Sequence, residues 1–310
     1  MDGPLSLIPD GGLPDPGAAG PWRVSTRHGE LSDPDRARTL PFKLYLPDAP
    51  RPGGLILFSH GLGGDRDNGE RWLRHWASHG YRGLALQHAG SDAAVMAGSP
   101  MALRRALTAA TTPEQSLARL ADLGFVLDEV WRRQATDPAW AGVDLERVGL
   151  AGHSYGAVTT QAMAGERRAY GPPVAEPRLR AFLGLSPSAR GEEAPLNARF
   201  AGIRRPFFCI TGTRDDGIGL HDISAADRTV PFRHMPGGDK FLLVLDGAAH
   251  MPLAGNPGSR HVLPPRAATA IQGASLAFWE AALGGSQAAR TWLCRDFPST
   301  LVPGDTWECK

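Results

Sequence analysis

The chain has 310 residues, 42% of them hydrophobic, and its 33 Lys and Arg against 32 Asp and Glu leave a formal net charge of +1. Near-cancellation without a basic block argues against a nucleic-acid partner, and the apolar content excludes a disordered chain or a coiled coil. No apolar stretch approaches the ~20 residues that cross a bilayer, and Met1 is followed by Asp-Gly-Pro rather than by a basic and then apolar leader, so a soluble chain without a visible export signal is expected.

Residues 1–38 are rich in Gly, Pro and Asp with little periodicity and read as an N-terminal arm. A single domain is expected over 39–310, since no internal repeat or low-complexity linker divides it. Short apolar runs then recur at Phe42 to Leu46, Leu55 to Ser59, Gly83 to Leu86, Val148 to Ala151, Ala181 to Leu185, Phe207 to Thr211 and Phe241 to Leu245. Most are continuously apolar rather than alternating, the pattern of parallel strands covered on both faces. Helical patterns fall between them. Asn68 to Ser78 carries Trp72, Leu73 and Trp76 at helical spacing, with Gly80 where a C-cap would stand. The stretch from Ser91 to Ala110 lies between a strand and the next capped helix, and its Met96, Met101 and Leu103 read as core or as the border of an acyl pocket. Thr112-Pro113-Glu114-Gln115 has the form of a capping box with proline at the first helical position. Leu117, Leu120, Leu127 and Val130 then mark a buried face. Two more helices are expected, one through Val158, Gln161 and Met163 and one over Ala267 to Ala282. Alternation of strands and helices predicts an α/β fold with a doubly wound, mostly parallel sheet flanked by helices.

The chemistry concentrates on Gly152-His153-Ser154-Tyr155-Gly156, which follows the run Arg147 to Ala151 and opens a helical stretch. G-x-S-x-G between strand and helix is the form of a nucleophile elbow, a sharp turn that holds the serine hydroxyl clear of the sheet. A serine hydroxyl is a weak nucleophile until a base takes its proton, so the elbow predicts a histidine held by a carboxylate. Asp215 and His250 each follow a late apolar run and stand in the chain order Ser, Asp, His. Asp216, next to Asp215, is an alternative third member. His221 and His234 are weaker candidates for the base, because no comparable strand precedes them. The charge of a tetrahedral intermediate needs preorganised donors. Ser59-His60-Gly61-Leu62-Gly63-Gly64 supplies a glycine-rich loop after an early strand, and the backbone N–H groups of Leu62 and Tyr155 are the candidate oxyanion-hole donors. His60 reads as a structural loop residue rather than a base.

The remaining polar clusters point to no cofactor. Asp65, Asp67 and Asn68 do not fit calcium-loop spacing and read as the solvated start of a helix. No zinc-type His or Cys pair and no nucleotide fingerprint is visible, so neither metal nor cofactor is expected. Cys209 lies inside an apolar run and reads as buried and inert. Cys294 and Cys309 bracket a tail whose Arg295, Asp296, Pro298, Pro303 and Gly304 suggest a loop. Whether these two bridge is open at this level, and a bridge would require an oxidising compartment.

With these residues in hand, the chain resembles the α/β-hydrolase superfamily over most of residues 40 to 285. Within it, the likeness is to bacterial dienelactone-hydrolase-like proteins related to platelet-activating-factor acetylhydrolase and to cutinase-like polyesterases. It rests on Phe58 to Gly64, Gln87 to Asp92, Gly152 to Gly156, Thr211 to Asp216 and Asp246 to His250. True dienelactone hydrolases use a cysteine nucleophile, and Ser154 departs from that. The resemblance implies a monomeric serine carboxylesterase with Ser154, Asp215 and His250 as triad, acting without cofactor on small to medium esters or polyesters. The same triad would serve an acyltransferase or thioesterase, and a degenerate scaffold would serve only binding. Some cutinase-like relatives carry a disulfide near the C-terminus, which Cys294 and Cys309 would match. Such relatives are commonly exported, so a secreted or periplasmic location is the expectation.

Overall fold

Each apolar run becomes a strand with neighbours pointing alternately to two covered faces. The computed structural model describes residues 15–50, 53–97, 99–171, 174–217, 222–256, 258 and 260–310. Among these, nine strands form one sheet: β1 (Val24–Asp33), β2 (Arg38–Pro47), β3 (Gly54–Ser59), β4 (Arg82–Leu86), β5 (Asp144–His153), β6 (Leu179–Leu185), β7 (Phe207–Arg214), β8 (Lys240–Ala249) and β9 (Thr306–Cys309). Their spatial order is β1-β2-β4-β3-β5-β6-β7-β8-β9. The strands from β4 to β8 pair in parallel, whereas β1, β2 and β9 run antiparallel at the two edges.

The helices are α1 (Glu70–Ser78), α2 (Pro100–Ala109), α3 (Pro113–Arg133), α4 (Tyr155–Met163), α5 (Glu193–Phe200), α6 (Val230–His234), α7 (His250–Leu253), α8 (Pro265–Ala282) and α9 (Gln287–Thr291). On one face Ile56, Phe58, Leu183 and Leu243 pack with Trp76 of α1 and Trp279 of α8. On the other, Leu55, Leu57, Leu150 and Leu242 pack with Leu123 and Leu127 of α3 and Phe200 of α5. Consecutive residues of one strand thus enter different cores, which is why these strands are apolar throughout. The architecture is α/β, a mostly parallel sheet with helices on both sides.

Several details differ from the sequence reading. Residues 24–33, assigned to the arm, form edge strand β1, paired with β2 from Val24↔Pro47 to Asp33↔Arg38. The boundary at residue 38 therefore falls inside a hairpin. An edge strand mostly exposed to solvent has no apolar run to reveal it, and in β1 only Leu31 and Asp33 are buried. Residues 1–14 of the arm lie outside the described residues. The tail is a loop only at 301–305. It continues from α9 through short helical turns into β9, which pairs with β8, and Trp307 of β9 packs on Phe297 with ring centroids 4.9 Å apart. Thr112 caps α3 by accepting from the Gln115 N–H at 3.3 Å, but the Gln115 side chain donates to the Ala89 carbonyl at 3.2 Å instead of reaching back. Met96 and Met101 are not core, being 52% and 68% exposed.

Candidate active site

Ser154 sits between the end of β5 and the first residue of α4, with φ 54° and ψ −114°. Left-handed φ at a serine is strained by roughly 1–3 kcal/mol, and packing on both sides holds it there. A Cβ on Gly152 would lie 2.3 Å from the Gly156 carbonyl oxygen, across the turn. A Cβ on Gly156 would lie 1.8 Å from the carbonyl oxygen of Ser59 at the end of β3. The first glycine closes the turn, while the second lets α4 approach the loop after β3. The Ser154 N–H donates to the Leu185 carbonyl of β6 at 2.9 Å, which fixes the turn to the sheet.

The three expected side chains meet above the C-terminal ends of β5, β7 and β8, the edge where open α/β sheets place ligands. His250 Nε2 lies 3.0 Å from Ser154 Oγ, and its Nδ1 lies 2.7 Å from Asp215 Oδ1. A carboxylate only accepts, so Nδ1 carries the proton and donates, leaving Nε2 to accept from the serine hydroxyl. The Thr211 hydroxyl donates to the other carboxylate oxygen of fully buried Asp215 at 2.6 Å. Asp216 is excluded from this chain of contacts. Its carboxylate is engaged instead with the Ala225 N–H at 3.0 Å. His234 is bonded to Asn197 Oδ1 at 2.7 Å and takes no part, and His221 lies outside the described residues.

Three further buried groups surround the site. Arg228, on a short turn before α6, donates to the backbone carbonyls of Asp215 and Ser186 at 3.1 and 2.9 Å. Its Nε lies 3.4 Å from Asp215 Oδ1, and one terminal nitrogen lies 3.2 Å from His250 Nδ1. That nitrogen and the Nδ1–H are both donors, so the latter approach is a contact and not a bond, with both groups drawn to the same carboxylate. His153 donates from Nε2 to the His250 carbonyl at 3.0 Å, its ring 4.7 Å from the His250 ring. Burial, then the neighbouring His250, hold its imidazole well below the usual range, so it stays neutral. The third group is a buried polar network beneath the loop carrying Leu62.

In that network Arg119 of α3 donates to Thr159, Ser91 and Ser59 hydroxyls at 3.1, 2.9 and 2.8 Å and to the His60 carbonyl at 2.5 Å. Its guanidinium also lies 4.6 Å from the Tyr155 ring centre. Burial brings this guanidinium down to about 10, still charged at neutral pH. Ser59 Oγ, His88 and Asp122 form a second Ser-His-Asp row, with 3.0 Å at each contact, but all three are fully buried and cannot meet substrate. Burial and then Arg119 take the His88 imidazole down to about 4. Burial pushes the Asp122 carboxyl up, but His88 and Arg38 overcome it and hold it well below the usual carboxylate range. His60 is structural, as its position suggested: its ring donates to the Gly61 carbonyl at 2.6 Å and accepts from the His88 N–H at 2.9 Å. One signal in the sequence could have flagged Arg119, a charge on the buried stripe of α3 between Ser116 and Leu123. Nothing comparable marks Arg228.

A cavity of about 240 Å³ opens at the triad, walled by Ser154, His250, Leu62, Tyr155, Val158 and Arg168 among others. The backbone N–H groups of Leu62 and Tyr155 donate to no acceptor among the described residues. Met96, Met101 and Leu103 do not line this cavity, although Met96 lies against the Leu62 loop at Gly63. A larger cavity of about 710 Å³, beside α1 and the loop after α7, contains no triad residue. The acids near that start of α1 are committed, Asp67 and Glu70 each accepting from Lys43 at 2.7 Å. Among the described residues no group of three or more His, Cys, Asp or Glu side chains could hold a metal ion, and no helix is long and apolar enough to cross a membrane.

No protein-family model matches the chain, and no curated protein matches it.

Proposed function

We propose that the chain is a serine carboxylic-ester hydrolase acting through an acyl-enzyme, built on the α/β-hydrolase fold and nearest in its motifs to the dienelactone-hydrolase-like and cutinase-like branch. One observation carries this reading: the continuous Ser154 Oγ, His250 Nε2, Nδ1, Asp215 Oδ1 chain at a cavity lined also by Leu62 and Tyr155, whose backbone N–H groups have no acceptor among the described residues. The strand order and the position of the three loops at the same sheet edge support it.

In the proposed reaction Ser154 Oγ bonds to the ester carbonyl carbon while its proton passes to His250 Nε2. The carbonyl electron pair moves onto oxygen, which faces the Leu62 and Tyr155 N–H groups. Collapse restores the carbonyl and breaks its bond to the alcohol, which leaves with the proton from Nε2. Water then bonds to the acyl carbon as Nε2 takes its proton, and that proton returns to Ser154 Oγ when the acid departs. Ester and water give acid and alcohol, with no other reactant. The cavity lies below the ~300–1,000 Å³ usual for drug-sized ligands, which favours small acyl groups.

The test is hydrolysis of p-nitrophenyl esters of increasing chain length by wild type and Ser154→Ala, with release of acid from a polyester film as the polymer arm. Ser154→Ala is expected to lose several orders of magnitude in rate while its thermal melting stays close to wild type. Wild-type turnover in that variant would refute the mechanism. An added alcohol or a thioester in the same assay separates hydrolase from acyltransferase and thioesterase.

A further inference from the structure

The wall of the cavity beside Ser154 carries two guanidinium groups, Arg168 and Arg228, and no carboxylate among the described residues. Arg228 is answered by Asp215, 3.4 Å away. Arg168 is not answered by any acid within ion-pair distance among the described residues. One of its terminal nitrogens donates to the Val158 carbonyl at 3.3 Å, and the guanidinium stacks over Tyr170 with its carbon 5.1 Å from the ring centre. Glu166 is close enough to feel the Arg168 charge, but that carboxylate is committed to Arg199 at 2.5 Å. A guanidinium has five N–H donors in a planar fork. Stacking and one carbonyl contact leave most of the Arg168 donors without a partner among the described residues, and the residue lines the cavity.

We propose that Arg168 is a specificity-determining anion site, so that this cavity selects esters whose acyl chain ends in a carboxylate, the half-esters of short dicarboxylic acids. The inference rests on the esterase reading of Ser154 for its reaction, though not for the binding itself. Geometry assigns the acyl end to this wall. The leaving oxygen must lie beside His250 Nε2 to receive its proton, whereas Arg168 is joined to α4 through Val158, on the Tyr155 side. A carboxylate accepts two parallel bonds from the guanidinium edge, and a neutral chain end of the same length accepts none. The small cavity volume suits a short diacid better than a long fatty chain.

The experiment compares p-nitrophenyl hydrogen adipate with p-nitrophenyl hexanoate, matched in chain length and differing in terminal charge. In parallel, binding of monomethyl adipate is measured by calorimetry on Ser154→Ala, with and without Arg168→Gln. The ratio of kcat/KM for the acid to that for the neutral ester is expected to fall about tenfold or more in Arg168→Gln, the size of a lost charge-assisted contact, and monomethyl adipate should bind Ser154→Ala more weakly by a similar factor when Arg168 is replaced. Turnover of both esters with a ratio unchanged by Arg168→Gln overturns the anion site and leaves the esterase reading intact. No turnover of either ester, with Arg168-dependent binding preserved, overturns the esterase reading and leaves the anion site intact. Neither turnover nor binding overturns both.

Discussion

Arg119→Met tests whether the buried network beneath the Leu62 loop positions the proposed oxyanion donors. The substitution keeps most of the side-chain volume and removes a charge that donates to three hydroxyls and the His60 carbonyl. Hydrogen bonds to a charged group contribute about 1.5–3 kcal/mol each, but burying the guanidinium costs several kcal/mol, which its removal relieves. The partners left behind are neutral hydroxyls and one carbonyl, and since an unsatisfied buried acceptor costs about 1–3 kcal/mol, the net loss expected is about 1–3 kcal/mol. A domain stable by about 5–15 kcal/mol remains folded, so activity can still be read. Outright loss of one oxyanion donor costs about 10²–10³ in kcat. A loop released from the His60 carbonyl anchor loses part of that, so kcat should fall about ten- to a hundredfold while KM moves little. Denaturant unfolding gives the first number and steady-state hydrolysis of a p-nitrophenyl ester the second. A variant that unfolds early yet keeps kcat within about twofold of wild type would refute the positioning argument, because the network would then hold the fold and not the donors.

Asp215→Asn should lower kcat by about four orders of magnitude, because an amide facing Nδ1 no longer fixes the imidazole tautomer, whereas Asp216→Asn should cost little; the reverse order in a rate assay transfers the role. Cys294 and Cys309 are free, exposed thiols, and burial and then the neighbouring Cys309 push the Cys294 thiol up, so oxidation should join them, lowering the mass by two hydrogens and raising the melting temperature; a loop of about 15 residues contributes at most ~3 kcal/mol. Two alkylatable thiols after oxidation would exclude the bridge. Burial pushes the Glu280 carboxyl up to about 7 from its ordinary 4.5, offset only in part by Tyr81 and Arg147. The folded state then holds a proton that the unfolded state has lost, so stability falls as pH rises from about 4.5 to 7 and levels off above, by about 3 kcal/mol. Glu280→Gln should flatten that slope in unfolding measured across the window, and an unchanged slope would assign it to other groups.

The central strands and the meeting of Ser154, His250 and Asp215 were legible because each is written in local chemistry. A strand covered on both faces must be apolar at every position, so Leu55 to Ser59 and Phe241 to Leu245 stand out. The elbow is legible through its glycines, since Gly152 and Gly156 each face a carbonyl oxygen where no Cβ fits. Edge strands carry no such constraint. β1 buries little, and β9 is four residues long and holds its place through Trp307. Arg228 was illegible for a different reason, and Arg119 showed only as a charge on the buried stripe of α3. What each does depends on which carbonyls and hydroxyls the folded chain brings to it, and the residues around it in sequence do not carry that. Distinguishing Asp215 from Asp216 likewise required the fold, because the two differ only in which way the chain turns after β7.

The proposed nucleophile Ser154 and the loop proposed to hold the oxyanion donors are coupled through one residue at the end of β3. Ser59 pairs with Gly152 in the parallel register of β3 and β5. Its carbonyl is the surface against which Gly156 is seated, and its hydroxyl accepts from Arg119 and contacts His88. The distance between Ser154 and the Leu62 N–H is therefore set by a strand register and not by the loop alone. A slip of one residue would move the loop by about 3.3 Å and invert its side chains relative to the sheet, which would carry the donor out of hydrogen-bonding reach of an oxygen bound at Ser154. Both faces of β3 are buried in separate cores, so such a slip would also put Phe58 and Leu57 into each other's places. The packing that makes the strand apolar throughout is thus the same constraint that fixes the spacing of the site.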